Sequence, residues 1–165
     1  MKIAILGAGA WGTALALSQA ARHEVVLWSR DAAHAAEMTA LRANPRYLAG
    51  FPLPAALAVE HRLEAALDDA DFALSVVPSA GLREALRQIA RLRPGMPVVW
   101  ACKGFEPGSA RLPHEVAAEE ALDECACGVL SGPSFAREVA QGLPTALTLA
   151  AADADFAQEV ARALH

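Results

Sequence analysis

The chain has 165 residues, 55% of them hydrophobic and 20% charged, and its formal net charge is −5. This composition is typical of a globular domain and excludes a disordered chain, while the lack of a basic block argues against a nucleic-acid partner. No apolar stretch approaches the ~20 residues of a membrane span, and the first apolar run is too short for a secretory signal. The three cysteines, Cys102, Cys125 and Cys127, and the five histidines lack metal-ligand spacing. We therefore predict no metal, and reduced, mostly buried thiols in a cytoplasmic protein.

The first residues predict a dinucleotide-binding turn. Lys2–Leu6 form an apolar run typical of a buried parallel strand, and Gly7, Gly9 and Gly12 follow it as a complete G-x-G-x-x-G motif. In such a turn the first glycine allows a tight bend, the second leaves room for a pyrophosphate, and the third lets the helix pack close to the strand. The sequence thus predicts a pyrophosphate at the N-terminus of the first helix, and the alternative is a tight turn without a ligand.

Strands and helices alternate along the rest of the chain. Strands are predicted at 2–6, 24–28, 72–77, 97–101, 127–130 and 144–150, and helices at 13–21, 32–42, 62–67, 80–92, 109–122, 135–141 and 153–165. The segment 44–54, rich in proline and glycine, is predicted as a loop, either a surface connection or a lid. The alternation predicts an α/β fold, a doubly wound, mostly parallel sheet of the Rossmann type, in one dinucleotide-binding domain of residues 1–165.

The second predicted strand ends next to a cation. Many NAD-binding chains carry an acidic residue here for the ribose, whereas this chain has Ser29 and Arg30. A guanidinium attracts a 2′-phosphate and binds it in a fork, so Arg30 favours NADPH over NADH; the alternative is a solvated loop cation. Asp31 is one residue late for the ribose contact but keeps NAD binding open. Ser29 or Asp31 is also predicted to cap the next helix.

Later strand ends carry further candidates, because open parallel sheets bind ligands at the carboxyl ends of their strands. Pro78 and Ser79 are candidates for cofactor contact or for plain helix capping. Lys103 is either a point charge for a substrate phosphate or a solvated loop lysine. The segment 131–136 (SGPSFA) offers N–H groups and a hydroxyl to an anion, serves as a helix cap, or does both.

A set of segments, GAGAWGTALA, VLWSR, NxxYL, VPS, CKGFE and SGPSFA, resembles the N-terminal domain of bacterial NAD(P)-dependent glycerol-3-phosphate dehydrogenase. The resemblance covers essentially the whole chain. It implies an enzyme that interconverts dihydroxyacetone phosphate and sn-glycerol 3-phosphate by hydride transfer, with NADPH or NADH, in the cytoplasm, for glycerophospholipid synthesis. The family continues into a helical domain that carries the general acid–base lysine. The resemblance therefore implies that this chain is a fragment without the catalytic residue and inactive alone.

The resemblance also implies site residues. Trp11, Arg30 and Ala136 are expected to contact the dinucleotide, although packing alone also explains an aromatic residue in the first helical turn. Gly132 and Ser134 are expected to contact the substrate, and Lys103 to lie beside substrate and nicotinamide. With the motif and strand-end residues, the expected cofactor contacts are Gly7, Gly9, Ala10, Trp11, Gly12, Arg30, Pro78, Lys103 and Ala136. Ala10 departs from the serine of many relatives, and Ala49 stands where NxxYL is usually followed by proline.

Two alternatives stay open. One is another reductase with the same cofactor domain, of the ketopantoate reductase or β-hydroxyacid dehydrogenase type. The other is a non-catalytic dinucleotide-binding module. The remaining expectations are a small-molecule substrate, no nucleic acid, no membrane span, and compatibility of the full-length protein with a homodimer.

Overall fold

The structure is a computed structural model that describes residues 1–120 and 125–165. Its strands are β1 (Lys2–Leu6), β2 (Glu24–Trp28), β3 (Ala43–Asn44), β4 (Leu48–Pro52), β5 (Ala58–Glu60), β6 (Phe72–Ser75), β7 (Val98–Trp100), β8 (Cys127–Ser131) and β9 (Thr148–Ala151). Its helices are α1 (Ala10–Gln19), α2 (Ala32–Leu41), α3 (Leu63–Leu67), α4 (Ser79–Leu92), α5 (Pro113–Glu119), α6 (Ala136–Ala140) and α7 (Ala154–Leu164). The end of the predicted helix 109–122 lies outside the described residues.

The main sheet confirms the predicted fold class. Within the described residues its strand order is β5-β2-β1-β6-β7-β8-β9, and every pair is parallel except β8 with β9. The chain builds outward from β1 to β5 and then returns to β6 on the other side of β1. The strand order therefore reverses between β1 and β6, which is where open sheets of this kind bind their ligands.

Both faces of the sheet are covered, and the alternation of side chains along each strand divides the core in two. Ile3 and Ile5 of β1 face one half, which α1 and α7 cover, whereas Ala4 and Leu6 face the other half, which α4 and α5 cover. Strands buried on both faces read as continuous apolar runs, and for this reason the sequence predicted β1 and β2 with their observed bounds.

The prediction of a loop over residues 44–54 is wrong in part. β3 and β4 pair there as a small antiparallel sheet, and Asn44 and Leu48 are buried. Proline and glycine within the segment concealed the pairing. The edge strand β5 was also missed, because it has three residues and only Val59 among them is a sizeable apolar residue. The last strand runs antiparallel to its neighbour.

Two predicted helix starts are corrected. α1 begins at Ala10 and not at residue 13, because Gly9 is its N-cap and the end of the glycine motif forms the first helical turn. α5 begins at Pro113 and not at residue 109, since proline fits the first turn of a helix but not its interior.

The cysteines, predicted to be mostly buried, are half-buried. Burial raises the pKa of the Cys102 thiol. Within the described ranges, no group of three or more His, Cys, Asp or Glu residues is arranged to hold a metal ion. None of the described helices is both long and apolar enough to cross a membrane.

Candidate functional site

The glycine turn joins β1 to α1 at the carboxyl edge of the sheet. Gly7 has φ 119°, which favours glycine, and a Cβ atom there would lie 3.0 Å from the backbone of Val76. A Cβ atom on Gly12 would lie 1.9 Å from the Gly7 carbonyl oxygen. At Gly9, by contrast, a Cβ atom would have no described atom within 4 Å other than those of Gly9 and its chain neighbours. Gly7 and Gly12 are thus required by the fold, whereas the space beside Gly9 is open to a ligand.

The N-terminus of α1 combines several properties that favour an anion. Gly9 is the N-cap and supplies no side-chain acceptor, and the first turn contains no acidic residue. The first N–H groups of a helix have no partner within the helix, and they carry the positive end of its dipole. Together with the open space beside Gly9, these N–H groups fit a pyrophosphate.

The residues after β2 have separate tasks. Asp31 caps α2, as predicted: its Oδ1 accepts from the N–H groups of Ala33 at 2.9 Å and His34 at 3.1 Å. Its Oδ2 lies 3.1 Å from Nη1 of Arg46. The backbone N–H of His34 and the Arg46 guanidinium hold the pKa of Asp31 below its usual value. Arg30 is exposed and makes no hydrogen bond or ion pair with any residue in the described ranges. The carboxylate is therefore already bound, whereas the neighbouring guanidinium is available.

A cleft of about 250 Å³ opens at the carboxyl ends of β7 and β8. It brings together four of the residues singled out in the sequence; they are Trp11, Lys103, Gly132 and Ser134. It does not include Arg30, Pro78 or Ala136. Sequence reasoning missed three of its other walls, which are Ala101, Leu130 and Leu147, whereas Ser131 belongs to the SGPSFA segment that it had singled out.

Signals for these walls were partly present. Ala101 and Leu130 lie at strand ends, and the strand-end argument extends to them although they are apolar. Leu147 comes from the connection between β8 and β9, and no motif marks it.

Lys103 connects the two loops of the cleft. Its Nζ donates to the Gly132 carbonyl oxygen at 3.0 Å, and the residue is exposed. Gly132 also has a structural reason to be glycine, because a Cβ atom there would lie 2.6 Å from the carbonyl oxygen of Ala146. The structure therefore places an ammonium group at the cleft and bonds it to the SGPSFA loop.

Trp11, Pro78 and Ala136 each have a structural task. Trp11 lines the cleft and also packs against two core clusters. Pro78 is the N-cap of α4, so Ser79 begins the helix and does not cap it. Ala136 begins α6 and packs against the cluster around Ala14.

An ion-pair cluster anchors the loop that carries Lys103. Both oxygens of Glu106, the last residue of CKGFE, accept from the Arg83 guanidinium at 2.7 and 2.8 Å. Arg83 also donates to Glu119 and Glu120 of α5 and its C-cap. Arg83 lowers the pKa of Glu106 to about 2, with help from the Ser109 hydroxyl. The loop is thus tied to α4 and α5 three residues after Lys103.

Comparison with known proteins identifies the family. A family model described as the N-terminus of NAD-dependent glycerol-3-phosphate dehydrogenase matches residues 2–157. The chain belongs to this family. The match favours the glycerol-3-phosphate dehydrogenases over the ketopantoate reductase and β-hydroxyacid dehydrogenase types, and over a non-catalytic module.

Curated relatives of the family are named as NAD(P)+-dependent glycerol-3-phosphate dehydrogenases. The chain is 57% identical to that of Nitrosospira multiformis over 169 residues, which cover 100% of this chain and 51% of the relative. It is 57% identical to that of Methylobacillus flagellatus, and the match covers 100% of this chain and 50% of the relative. The crystal structure of the Coxiella burnetii glycerol-3-phosphate dehydrogenase matches with a TM-score of 0.93 and 43% identity, covering 99% of this chain and 50% of that one. The chain spans about half the length of the curated relatives it matches.

The glycine motif yields a paired prediction. Gly12→Ala should lower the free energy of unfolding by about 3 kcal/mol, the upper end of the usual cost of overpacking, because its methyl group meets backbone. Gly9→Ala should change the free energy of unfolding by less than about 0.5 kcal/mol. It should instead lower the affinity for NADPH by about tenfold or more, equal to ~1.4 kcal/mol. Urea unfolding and fluorescence titration measure the two effects. A Gly9→Ala chain that binds NADPH normally would contradict the assignment of the open space.

The ion-pair cluster yields a pH prediction. Because the pKa of folded Glu106 is about 2 and its usual value is 4.5, its contribution to stability is complete above pH 4.5 and is lost as the pH falls toward 2. Arg83→Met removes the cause of the lowered pKa. The free energy of unfolding of this variant should therefore fall less than that of the unaltered chain between about pH 6 and pH 3. Arg91→Met, an exposed arginine on the same helix, is the control. The prediction would be refuted if the free energy of unfolding of Arg83→Met fell with pH as steeply as that of the unaltered chain.

Proposed function

We propose that this chain is the NADPH-binding part of an enzyme that interconverts dihydroxyacetone phosphate and sn-glycerol 3-phosphate by hydride transfer. The observation that carries this proposal is the cleft in which Lys103, Gly132 and Ser134 meet beside Trp11 of the glycine turn. An anion site and a cationic cleft at one sheet edge suit a dinucleotide and a small phosphorylated substrate. The names of the relatives support this substrate. We further propose that the enzyme works in the cytoplasm and feeds glycerophospholipid synthesis.

A preference for NADPH over NADH is part of the proposal. NADPH differs from NADH by a phosphate on the 2′-oxygen of the adenosine ribose. Arg30 is exposed and has no partner in the described ranges, and its guanidinium suits a phosphate in a bidentate fork. The carboxylate next to it in the sequence, Asp31, already accepts from two N–H groups and from Arg46. Its oxygens are therefore already engaged by protein donors instead of a ribose hydroxyl, and the Arg46 guanidinium balances its charge.

The residues of this chain have distinct tasks in the proposed reaction. When bound, the dinucleotide supplies the hydride. The N–H groups of α1 hold the pyrophosphate beside Gly9, and Arg30 holds the 2′-phosphate. Lys103 brings positive charge to the cleft, where it favours negative charge on the substrate oxygen, and the Ser134 hydroxyl orients the substrate. The hydrogen bond from Lys103 to Gly132 keeps the ammonium on the SGPSFA side of the cleft.

We propose that the proton donor lies outside residues 1–165. The only lysines of the chain are Lys2 and Lys103. Lys2 pairs with Glu24 at 3.4 Å and lies at the start of β1, at the opposite edge of the sheet. Lys103 is assigned to holding substrate. The general acid–base lysine expected from the resemblance would therefore come from the remainder of a longer protein, whose second domain completes the site.

Cofactor titration tests the binding half of the proposal. The chain should bind NADPH more tightly than NADH. Arg30→Ala should lower the affinity for NADPH by about tenfold to a hundredfold, the usual value of a charge-assisted contact, and leave NADH affinity unchanged. The matched control is Arg91→Ala: it removes the same charge from the last turn of α4, at the opposite sheet edge, and should change neither affinity. Equal losses for the two cofactors in Arg30→Ala would overturn the assigned role of Arg30.

Turnover tests the catalytic half. The purified chain should not measurably oxidise NADPH in the presence of dihydroxyacetone phosphate, because the proton donor is missing. The longer protein should do so, and Lys103→Met in that protein should reduce kcat/KM by about a hundredfold or more, as for the loss of an electrostatic contact to the reacting oxygen. Absorbance at the reduced-nicotinamide band measures both. Sustained turnover by the chain alone would refute the placement of the proton donor.

A further inference from the structure

The NxxYL segment contains a buried polar residue that the proposed function does not yet use. Asn44 is fully buried, and its side-chain amide makes contacts to three parts of the chain. Nδ2 donates to the carbonyl oxygen of Ala8 in the glycine turn at 3.0 Å and to the hydroxyl of Thr13 in α1 at 2.8 Å. Oδ1 accepts from the N–H of Tyr47 at 3.3 Å and lies 3.0 Å from Nε2 of His34. Every polar atom of this amide therefore has a partner.

These contacts determine how His34 is protonated in its neutral form. A carbonyl only accepts and a backbone N–H only donates, so Ala8 and Tyr47 fix the orientation of the Asn44 amide. Nε2 of His34 must then carry the hydrogen that Oδ1 accepts, which leaves Nδ1 as an acceptor. Nδ1 lies 3.3 Å from the hydroxyl oxygen of Ser29, and both side chains are buried. The same oxygen lies 3.3 Å from the Asp31 carbonyl oxygen, so the single hydroxyl hydrogen is shared between two acceptors on either side of the Arg30 position. The chain of hydrogen bonds thus runs from the glycine turn to the residue before Arg30.

His34 also contacts the residue after Arg30. Its backbone N–H donates to Oδ1 of Asp31 at 3.1 Å. Arg30 is therefore flanked by Ser29 and Asp31, and both are bonded to the same histidine. These contacts on both sides, the bracket of Ser29, His34 and Asp31, limit where the Arg30 backbone can lie. The Arg30 side chain itself has no partner among the described residues.

The β3–β4 connection covers the bracket from outside. The Tyr47 ring lies edge-on to the His34 ring, with centroids 5.3 Å apart and an interplanar angle of 73°. Arg46 pairs with Asp31 at 3.1 Å and with Glu37 at 3.5 Å. The segment that the sequence suggested as a loop is thus fastened to the start of α2.

We propose that His34 and Asn44 are positioning residues for cofactor specificity: the Asn44–His34–Ser29 chain holds Arg30 at a set place relative to the glycine turn. The inference rests on the proposed function. A dinucleotide contacts the turn through its pyrophosphate and Arg30 through its 2′-phosphate at the same time, so the separation of the two sites matters only for NADPH. NADH has no 2′-phosphate, so its binding does not depend on the position of Arg30. Removing a hydrogen bond of this network on the Ser29 side should therefore reduce the preference for NADPH. A disturbed glycine turn should instead reduce the affinities for both cofactors.

The test uses variants on the two arms of the network. On the Ser29 arm, Ser29→Ala removes one hydroxyl, and His34→Gln keeps a donor near the position of Nε2 but lacks the Nδ1 acceptor. Both should lower NADPH affinity by about three- to tenfold, the range of one or two hydrogen bonds, and NADH affinity by less than about twofold. On the turn arm, Thr13→Val removes the hydroxyl that accepts from Asn44. The bond from Asn44 to the Ala8 carbonyl oxygen stays, so the position of Arg30 relative to the turn is kept while the helix beside the turn is loosened. Thr13→Val should therefore lower both affinities by the same factor and leave their ratio unchanged, and a selective loss of NADPH affinity would contradict this division of the two arms.

A double-variant cycle separates positioning from general loosening. If Ser29 acts through Arg30, then Ser29→Ala should have no further effect on NADPH affinity in the Arg30→Ala background. Additive losses would mean that Ser29 acts elsewhere, and they would overturn the inference. Thermal unfolding of each unliganded variant accompanies the titrations. Ser29→Ala tests the same arm as His34→Gln with the smaller change, so the inference remains testable if the histidine variant does not fold.

The outcomes distinguish this inference from the proposed function. If the unaltered chain binds neither cofactor, or binds both equally, the proposed role of Arg30 and this inference fall together. If it prefers NADPH, and Arg30→Ala abolishes the preference, the proposed binding function stands. If the preference then survives undiminished in Ser29→Ala and His34→Gln, this inference alone is overturned.

Discussion

The close approach of helix α1 to the end of β1 is the constraint on which the rest of the structure depends. A single carbon atom at Gly12 would lie 1.9 Å from the Gly7 carbonyl oxygen, so the helix reaches its place only because that atom is absent. From there α1 packs against α6 and contacts β4. These neighbours bring the SGPSFA loop and the Asn44 segment to the same sheet edge. The glycine turn, the cleft and the buried polar network therefore all depend on one helix–strand contact.

The sequence predicted the central parts of the fold better than its margins, and the reason is physical. Central strands are buried on both faces, so they appear in the sequence as short continuous apolar runs. Lys2–Leu6 is an example. Proline and glycine conceal the short β3–β4 pairing, whereas β5 has only three residues and pairs with β2, which lies far from it in the sequence. The burial of Asn44 could not be predicted either, because a polar residue in a loop-like segment carries no local signal that it will be buried.

The candidate site was predictable where charge and strand ends coincide. Lys103 and Arg30 were found because each follows an apolar run, and parallel strands end at one edge. Leu147 was not found, since it reaches the cleft through the antiparallel β8–β9 connection, a reversal that the helix–strand alternation does not predict. Gly132 shows how one residue can serve both fold and site: the approach of Ala146 requires glycine, and the Gly132 carbonyl oxygen holds Lys103.

The open space beside Gly9 has a consequence for which substitutions such a domain accumulates during evolution. Folding requires Gly12, because backbone atoms occupy the space around it, whereas a Cβ atom on Gly9 would meet no described atom within 4 Å other than its own residue and chain neighbours. Under the proposed function, a ligand that must approach the backbone adds a requirement for glycine at this position. In a gene copy released from ligand binding, substitutions would accumulate at Gly9 while Gly12 stayed unchanged. The two positions together thus distinguish a working copy from one that retains only its shape.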